Sequence, residues 1–262
     1  MLEFVTYTAE KLQALLLISF RAGGLFIGAP ILGHRAIPAP IKAGFAVLIA
    51  ILMIPAIETA GVPEVASIWT LALLASKELL VGLIIGFFFS LLFIGARMAG
   101  GIVGYQVGLA LTNVLDPEAG SQTSVVGEFW YALAILIFLA VDGHHAIISA
   151  FADSYRILPV AFTGFGGPAG QMLIRYSAYA FTIAIKIAAP VMITLFLTEV
   201  AMGVVARTVP QMNIFIVGIP LKIGIGFLVL ATALPVFKII VDKTITYLDS
   251  EVLAVMHGLG TV

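Results

Sequence analysis

The sequence predicts an all-α, membrane-derived protein built from about six hydrophobic helical segments that are arranged in hairpins. Composition leads to this fold class, because 61% of the 262 residues are hydrophobic, only 10% are charged and the mean hydropathy is +1.16. A soluble domain carries roughly 25% charged residues, so this chain cannot cover a globule in water. Its 26 glycines agree with the prediction, since glycine lets helix backbones approach closely within a bilayer.

The same composition argues against an enzyme and against several classes of partner. The formal net charge is −1, which gives no field that would attract nucleic acid, and the lack of cysteine excludes disulfides and zinc–thiolate sites. The phosphate loop G-x-x-x-x-G-K-[ST], the H-E-x-x-H motif and the G-x-S-x-G elbow are all missing from the sequence. We therefore predict no catalytic residues, no cofactor and no metal site.

The first apolar run, residues 12–32, is long enough to cross the ~30 Å hydrocarbon core of a bilayer. Glu3 and Glu10 stand where a secretory signal would carry basic residues, so we expect a retained span rather than a cleaved signal. Arg21 lies near the middle of this run. Because an arginine that faces lipid costs at least ~2.5 kcal/mol, Arg21 is expected to face protein.

Two further apolar runs follow in the first half of the chain. Residues 34–40 are predicted as a turn because they contain Pro38 and Pro40, and residues 41–60 form the second run. The third run, residues 68–96, would reach ~43 Å as a helix. That length exceeds what a bilayer requires, which indicates either a strong tilt or a helix that is not in lipid along its whole length.

Four charged side chains are predicted to be buried within the apolar runs, where ionisable groups by default mark a pathway or a buried pair. Lys77 and Glu78 are adjacent, so on a helix they point ~100° apart and need not pair with each other. Lys186 lies inside the fifth run. The set of predicted buried charges is Arg21, Lys77, Glu78 and Lys186.

A glycine repeat leads into a long polar loop near the middle of the chain. Gly100, Gly104 and Gly108 recur every four residues, which on a helix makes a flat strip for close backbone packing. The polar loop that follows, residues 112–124, has ~13 residues, and loops of such length between helices are often functional. Two interpretations stay open: a solvent loop, or a mobile segment that packs in a cavity in one state and is displaced in another.

The fourth run, residues 125–141, starts with aromatic side chains that are typical of an interface anchor. Asp142-Gly143-His144-His145 ends it. Two adjacent histidines point ~100° apart on a helix, whereas the favoured spacing of a metal-binding pair is four residues. We interpret this stretch as a wet turn.

The rest of the chain is predicted to form a closing hairpin and a tail. Residues 171–209 would reach ~60 Å if helical, and residues 223–241 form the sixth run. Between them lies an elbow in which Pro210 and Pro220 are expected to break the helix. After Asp242 the apolar spacing predicts a short amphipathic helix that lies on the membrane surface or on a partner.

Polar side chains gather at this elbow. Glu199 and Arg207 lie about 80° apart around a helix, so they share roughly one face. They either mark a pathway or a buried pair, or snorkel from an ordinary interfacial loop, and the stretch alone does not decide between these. The predicted elbow residues are Glu199, Arg207, Pro210, Gln211, Asn213 and Lys222.

Four stretches of the chain carry a family resemblance. The run L-T-E-V-A-M-G-V-V-A-R-T-V-P-Q-M-N-I-F-I-V-G-I-P-L-K-I at residues 197–223 resembles the signature region of the flagellar FliR family and its virulence-secretion counterparts. In the same order as in that family come G-x-P-I-L-G…I-P-x-P-I-K at 28–42, S-K-E-L-L-V-G-L-I-I-G at 76–86 and A-G-G-I-V-G-Y-Q-V-G-L-A…D-P at 99–117. The likeness covers essentially the whole chain.

The resemblance implies a subunit of the type III export gate at the base of the bacterial flagellum, in the inner membrane. In that family one subunit joins several copies of FliP and FliQ in a helical assembly around a channel, and FlhB associates with it. Unfolded rod, hook and filament proteins pass through this channel as cargo. The resemblance further implies that residues 1–165 are FliP-like in fold and that residues 170–262 are a FliQ-like hairpin with a tail.

By the same resemblance the glycine repeat and the loop after it correspond to a plug inside the channel, while the elbow residues hold the hairpin against a neighbouring subunit. The residues that carry the plug role are Gly100, Gly104, Tyr105, Gln106, Gly108, Asn113, Asp116 and Pro117.

The alternative function is an ion-coupled secondary transporter for a small solute, with Lys77, Glu78, Lys186 and Glu199 at mid-depth. Such folds usually contain internal repeats with broken helices at matching positions. Pro55 and Pro190 lie in segments with little else in common, so we find no such repeat.

Overall fold

Helices make up the regular structure of the part of the chain that the computed structural model describes, and that part contains no strand. It comprises residues 2–34, 36–57, 67–108, 124–162, 169–209, 211 and 213–260. The helices are α1 (Leu2–Gly28), α2 (Ala39–Met53, followed by a single 3₁₀ turn at Ile54–Ala56), α3 (Ile68–Val107), α4 (Val125–Ala140), α5 (Gly143–Ile157), α6 (Ala169–Ser177), α7 (Tyr179–Thr208) and α8 (Ile214–Gly260).

Five helical stretches within these residues are long and apolar enough to cross a membrane, and a sixth is added if α4 and α5 together count as one broken span. The predicted all-α fold with about six hydrophobic segments is therefore confirmed.

The helices differ in how much of their apolar surface the chain itself covers. In α3 the span is 61% buried, whereas in α2 it is 11% buried. The apolar surface of α2 consequently lies open to lipid or to other polypeptides.

The chain divides into two compact units, and the first contains both ends of the chain. It comprises Met1–Leu91, Asp142–Ser177 and Ile245–Val262. Its interior includes Phe88, whose ring centroid lies 5.1 Å from that of Tyr176. Tyr176 also donates a hydrogen bond from its hydroxyl to Glu251 near the end of α8.

The second unit comprises Leu92–Val141 and Ala178–Thr244. Aromatic side chains fill its interior: the rings of Trp130 and Phe237 lie 4.7 Å apart, and those of Phe93 and Phe138 lie 5.3 Å apart. The two contact units each combine segments from both halves of the chain. The resemblance of residues 1–165 to FliP and of residues 170–262 to FliQ stays a prediction.

The last helix corrects two expectations. Pro220 was expected to break the chain, yet it lies inside the continuous helix α8, as does Pro235. A proline removes one backbone donor, but apolar helices tolerate this loss where neighbouring groups satisfy the freed carbonyl. After Asp242 the chain is helical as predicted, but it is not a short helix on the membrane surface or on a partner, since it continues α8 to Gly260 and its apolar positions are buried within the first unit.

Three element boundaries differ from the sequence prediction. Helix α2 begins at Ala39, so Pro40 lies in its first turn, where a missing N–H costs nothing. The third run continues as helix to Val107 rather than ending at Ala96. The fifth run is interrupted at Ala178, which separates α6 from α7.

Candidate functional site

A fully buried ion pair joins α1 to α3 in the first unit. Arg21 and Glu78 are both 0% exposed, and Arg21 Nε donates to Glu78 Oε2 at 2.5 Å. The two residues lie 57 positions apart in sequence. Burying a charge is costly unless it is paired and hydrogen-bonded, so the rest of the arrangement must satisfy the remaining polar atoms.

Helix α5 and the segment after it supply those partners. Arg21 Nη1 donates to Ser154 Oγ at 2.9 Å and Nη2 donates to the carbonyl oxygen of Leu158 at 3.0 Å. The guanidinium carbon lies 3.9 Å from the ring centroid of Tyr155, a cation–π contact. The backbone N–H of Ala161 donates to Glu78 Oε1 at 3.0 Å. We call these six residues the buried charge centre.

The buried charge centre also holds a strained backbone position. Ala161 has φ 63, the left-handed conformation that residues with a Cβ rarely adopt. Its N–H is bonded to Glu78, so the carboxylate helps to keep this turn in place. The arrangement has the character of a structural clamp that ties three parts of the first unit together.

The other two predicted buried charges are not buried in this chain. Lys77 is half-buried and faces the ring of Phe162, whereas Lys186 is exposed and lies 5.8 Å from the ring of Tyr179. Because neighbouring helical residues point ~100° apart, only one of Lys77 and Glu78 can face the interior. Lys186 lies beside Ile187, which takes the buried position on α7.

Four glycines bring α1 and α3 together next to the buried charge centre. A Cβ on Gly24 would overlap the backbone of Leu79, and a Cβ on Gly82 would overlap the backbone of Arg21. One turn further on, a Cβ on Gly86 would lie 2.6 Å from backbone atoms of Gly28 and Ala29. This contact was not predicted, although both helices carry the G-x-x-x-G spacing that indicates close helix packing.

The glycine repeat at the end of α3 packs on the start of α4 in the second unit. A Cβ on Gly100 would lie 2.6 Å from Gly127 Cα, and one on Gly104 would lie 2.7 Å from Ser124 Oγ. Ser124 in turn caps α4, since its Oγ accepts a hydrogen bond from Gly127 N–H at 3.2 Å. The packing strip therefore consists of Gly100 and Gly104.

The remaining predicted plug residues fall in three groups. Gly108 directly follows the end of α3 with a φ of 95, a conformation that favours glycine. Tyr105 is exposed, while the amide of Gln106 donates to the carbonyl oxygen of Met192 on α7 at 3.1 Å. Asn113, Asp116 and Pro117 lie outside the described residues.

At the elbow the structure pairs Glu199 with Lys222, so that an ion pair joins α7 to α8. The pair is partly exposed rather than buried. Arg207, which shares a helix with Glu199, is exposed and has no ion pair among the described side chains. Asn213 Oδ1 accepts from Ile216 N–H at 3.4 Å at the start of α8, Gln211 is exposed, and Pro210 lies outside the described residues.

The turn between α4 and α5 gathers three possible metal ligands. Asp142, His144 and His145 each present one ligand atom, and these atoms lie within 4.8 Å of one another. The spacing of the two histidines alone did not predict this cluster, because Asp142 completes it. The left-handed conformation of Asp142 (φ 57) directs the chain into α5.

Comparison with known proteins identifies relatives over nearly the whole chain. The sequence profile of a family described as "Bacterial export proteins, family 1" matches residues 12–248. The flagellar biosynthetic protein FliR of Bacillus subtilis is 37% identical over 235 residues, which cover 88% of this chain and 90% of that protein. FliR of Escherichia coli is 31% identical, with 82% of each chain covered.

A relative that does not carry the FliR name is similar at the same level. The Yop proteins translocation protein T of Yersinia pestis is 32% identical over 231 residues, which cover 86% of this chain and 84% of that protein.

Proposed function

The chain belongs to the bacterial export proteins of family 1, and from this premise we propose that it is a subunit of the flagellar type III protein export gate. It is a multi-pass membrane protein of the export apparatus. In the proposed role it forms, with several copies of FliP and FliQ, the channel through which unfolded rod, hook and filament proteins cross the inner membrane. FlhB associates with this assembly at the flagellar basal body.

The observation that carries the proposal is the similarity to FliR proteins over nearly their full length. The apolar surface of the chain supports it. Large hydrophobic side chains are exposed along α2, α7 and α8, among them Leu52 at 62%, Leu197 at 60% and Leu228 at 65%. A monomeric soluble protein rarely exposes so many large apolar side chains, which supports lipid and partner subunits as their neighbours.

The export channel is proposed to be sealed at the end of α3. In this proposal Gly100 and Gly104 set the position of α3 against α4, and Gln106 ties the same turn to the backbone of α7. A seal that must open cannot be held by a large apolar core, and the contacts of Gly100, Gly104 and Gln106 are small and partly polar. The predicted plug loop that follows is part of the same proposal.

The ion pairs in the structure argue against the transporter alternative. Its four side chains do not form one site in either unit: Glu78 is paired with Arg21, Glu199 is paired with Lys222, and Lys186 is exposed. A coupled transporter needs ionisable groups that exchange ions at a shared cavity near the bilayer midplane.

Deletion and complementation test the proposed function. We expect cells that lack this protein to be non-motile and to release no hook or filament protein into the medium, and we expect the full-length chain to restore both. Normal secretion in the deletion strain would contradict the proposal, whereas loss of uptake of a small solute with intact secretion would support the transporter.

A further inference from the structure

We propose that Asp142, His144 and His145 form a binding site for one divalent transition-metal ion of the zinc class at the N-terminal end of α5. Two imidazoles and one carboxylate are a donor set that zinc and its neighbours in the first row accept, with a fourth position left for water or another ligand. The site is independent of the proposed export function, since nothing in that function uses these side chains.

The backbone of the turn collects the ligands. Asp142 adopts φ 57 and ψ 28, and the N–H of His145 donates to the carbonyl oxygen of Asp142 at 2.9 Å. This tight turn places Asp142 Oδ1 3.7 Å from His145 Nδ1. The ring centroids of His144 and His145 lie 4.2 Å apart, so the adjacent histidines do not diverge here as the helical spacing alone suggested.

The distances are compatible with coordination after small rotations. In a tetrahedral site with ligands about 2.0–2.2 Å from zinc, neighbouring ligand atoms lie roughly 3.4 Å apart. The ligand atoms of the three residues already lie within 4.8 Å of one another. The side chains of Asp142 and His145 are 71% and 70% exposed, so solvent-facing rotamer changes can close the remaining gap.

A second observation points to a missing partner. His144 Nδ1 is buried and makes no hydrogen bond to any described residue. A buried nitrogen without a partner is unfavourable, and a ring rotation that brings this nitrogen to a metal ion at the turn would satisfy it. Calcium and magnesium prefer oxygen ligands, so the imidazoles favour a transition-metal ion over both.

The position at a helix N-terminus lowers the affinity for a cation. The helix dipole places about half a positive charge there, which repels a cation, and the Asp142 carboxylate offsets it. Affinity should follow the order Co²⁺ < Ni²⁺ < Cu²⁺ > Zn²⁺ that nitrogen and oxygen sites generally show.

Titration of the full-length protein with Co²⁺ tests the site. The protein is purified in detergent with a tag that contains no histidine, and the visible d–d absorption of bound Co²⁺ is followed. We expect one saturable equivalent that Zn²⁺ displaces and Mg²⁺ does not. His144→Gln, His145→Gln and Asp142→Asn should each weaken binding about tenfold or more. Asp142→Asn keeps the turn, because asparagine tolerates the left-handed conformation.

The other two histidines supply the matched control. A His34→Gln/His257→Gln variant should bind Co²⁺ as the natural chain does. Circular dichroism and the elution volume of every variant confirm that the helices are intact. The proposal is overturned if no saturable binding occurs, if His144→Gln binds as tightly as the unchanged protein, or if the control variant loses the site.

Discussion

Arg21 shows how one residue can tie an apolar structure together. It contacts α3 through Glu78, α5 through Ser154 and the segment after α5 through the carbonyl oxygen of Leu158. All of these groups are out of contact with water, so each depends on the others for its hydrogen bonds. The removal of one charge from such a pair leaves the other buried and unpaired, whereas the removal of both does not.

We therefore predict that Arg21→Leu and Glu78→Gln each destabilise the protein by about 3–5 kcal/mol, while the double variant Arg21→Leu/Glu78→Leu is more stable than Arg21→Leu alone. Thermal unfolding in detergent, followed by circular dichroism, measures the difference. The half-exposed pair of Arg97 and Glu128, 3.0 Å apart, is the control, and Arg97→Gln should cost no more than ~1 kcal/mol. Equal effects at both pairs would refute the clamp.

At the residue scale, the sequence predicted that a single side chain is buried better than it predicted which residue that side chain contacts. It indicated that Arg21 faces protein, because an arginine in an apolar run is otherwise too costly. It could not predict that Glu78 is the partner, since 57 residues separate the two and only the packing of α1 on α3 brings them together. Ser154 and Tyr155 carry no signal in the sequence that would mark them as partners of an arginine.

At the scale of elements, glycine decides where helices touch. Gly24 and Gly28 on α1 meet Gly82 and Gly86 on α3 with no room for a side chain. Because of this close approach Arg21 lies near Glu78 without spanning a wide gap. The buried charge centre thus depends on four residues that have no side chain at all.

Replacement of Gly82 by alanine should force the two helices apart and destabilise the first unit by about 1–3 kcal/mol. Gly23 on α1 is the matched control, since a Cβ there meets nothing within 4 Å. Gly23→Ala should be neutral or stabilising, as alanine favours helix over glycine by about 0.8–1.0 kcal/mol. The unfolding temperatures of the two variants measure this difference. If the Gly82→Ala protein is as stable as the Gly23→Ala protein, the proposed role of the glycine contact is wrong.

The glycine strip at the end of α3 leads to a functional prediction. In a reconstituted complex with FliP and FliQ, Gly100→Leu and Gly104→Leu should alter the packing of α3 on α4 and raise the ion leak of the closed channel. Gly101→Leu on the same turn is the control, because a Cβ there has open space within 4 Å. Conductance across planar bilayers measures the leak. Unchanged conductance together with normal secretion in both variants would refute the proposed seal.

Apolar periodicity predicted the helices but not all of their ends. The fourth run was placed at 125–141 and α4 spans Val125–Ala140, since Ser124 caps it. The prediction that proline breaks the helix is wrong at α8, because the loss of one backbone hydrogen bond costs little compared with the many bonds that hold a 47-residue helix. The helix also continues because Leu248 and Val252 are buried in the first unit. The local sequence does not indicate this long-range packing.

At the scale of the whole molecule, the exposed apolar and charged groups are available for contacts with lipid or other polypeptides. Glu199 and Lys222 pair within the chain, which leaves Arg207 as the exposed cation at the end of α7. Its role in contact with another subunit stays a prediction. The isolated chain gives no reason for an arginine at this position.

Charge reversal separates folding from assembly. Arg207→Glu should leave the stability of the isolated chain within ~0.5 kcal/mol, because its side chain has no ion pair in the described structure, yet it should reduce co-purification with FliP and FliQ. Lys186→Glu, at another exposed cation of α7, serves as the comparison. An assembly that forms normally with the Arg207→Glu variant would contradict the proposed contact between Arg207 and another subunit.

The central claim is that other polypeptides must cover the exposed apolar helices of this chain for it to be stable against self-association. The behaviour of the chain on purification tests this claim directly. The full-length protein is produced with and without FliP and FliQ, extracted in mild detergent and sized by light scattering. We predict a single stable hetero-oligomer when the partners are present and a folded chain that self-associates into particles of several sizes when they are absent. A monodisperse, stable monomer that ignores FliP and FliQ would contradict the account.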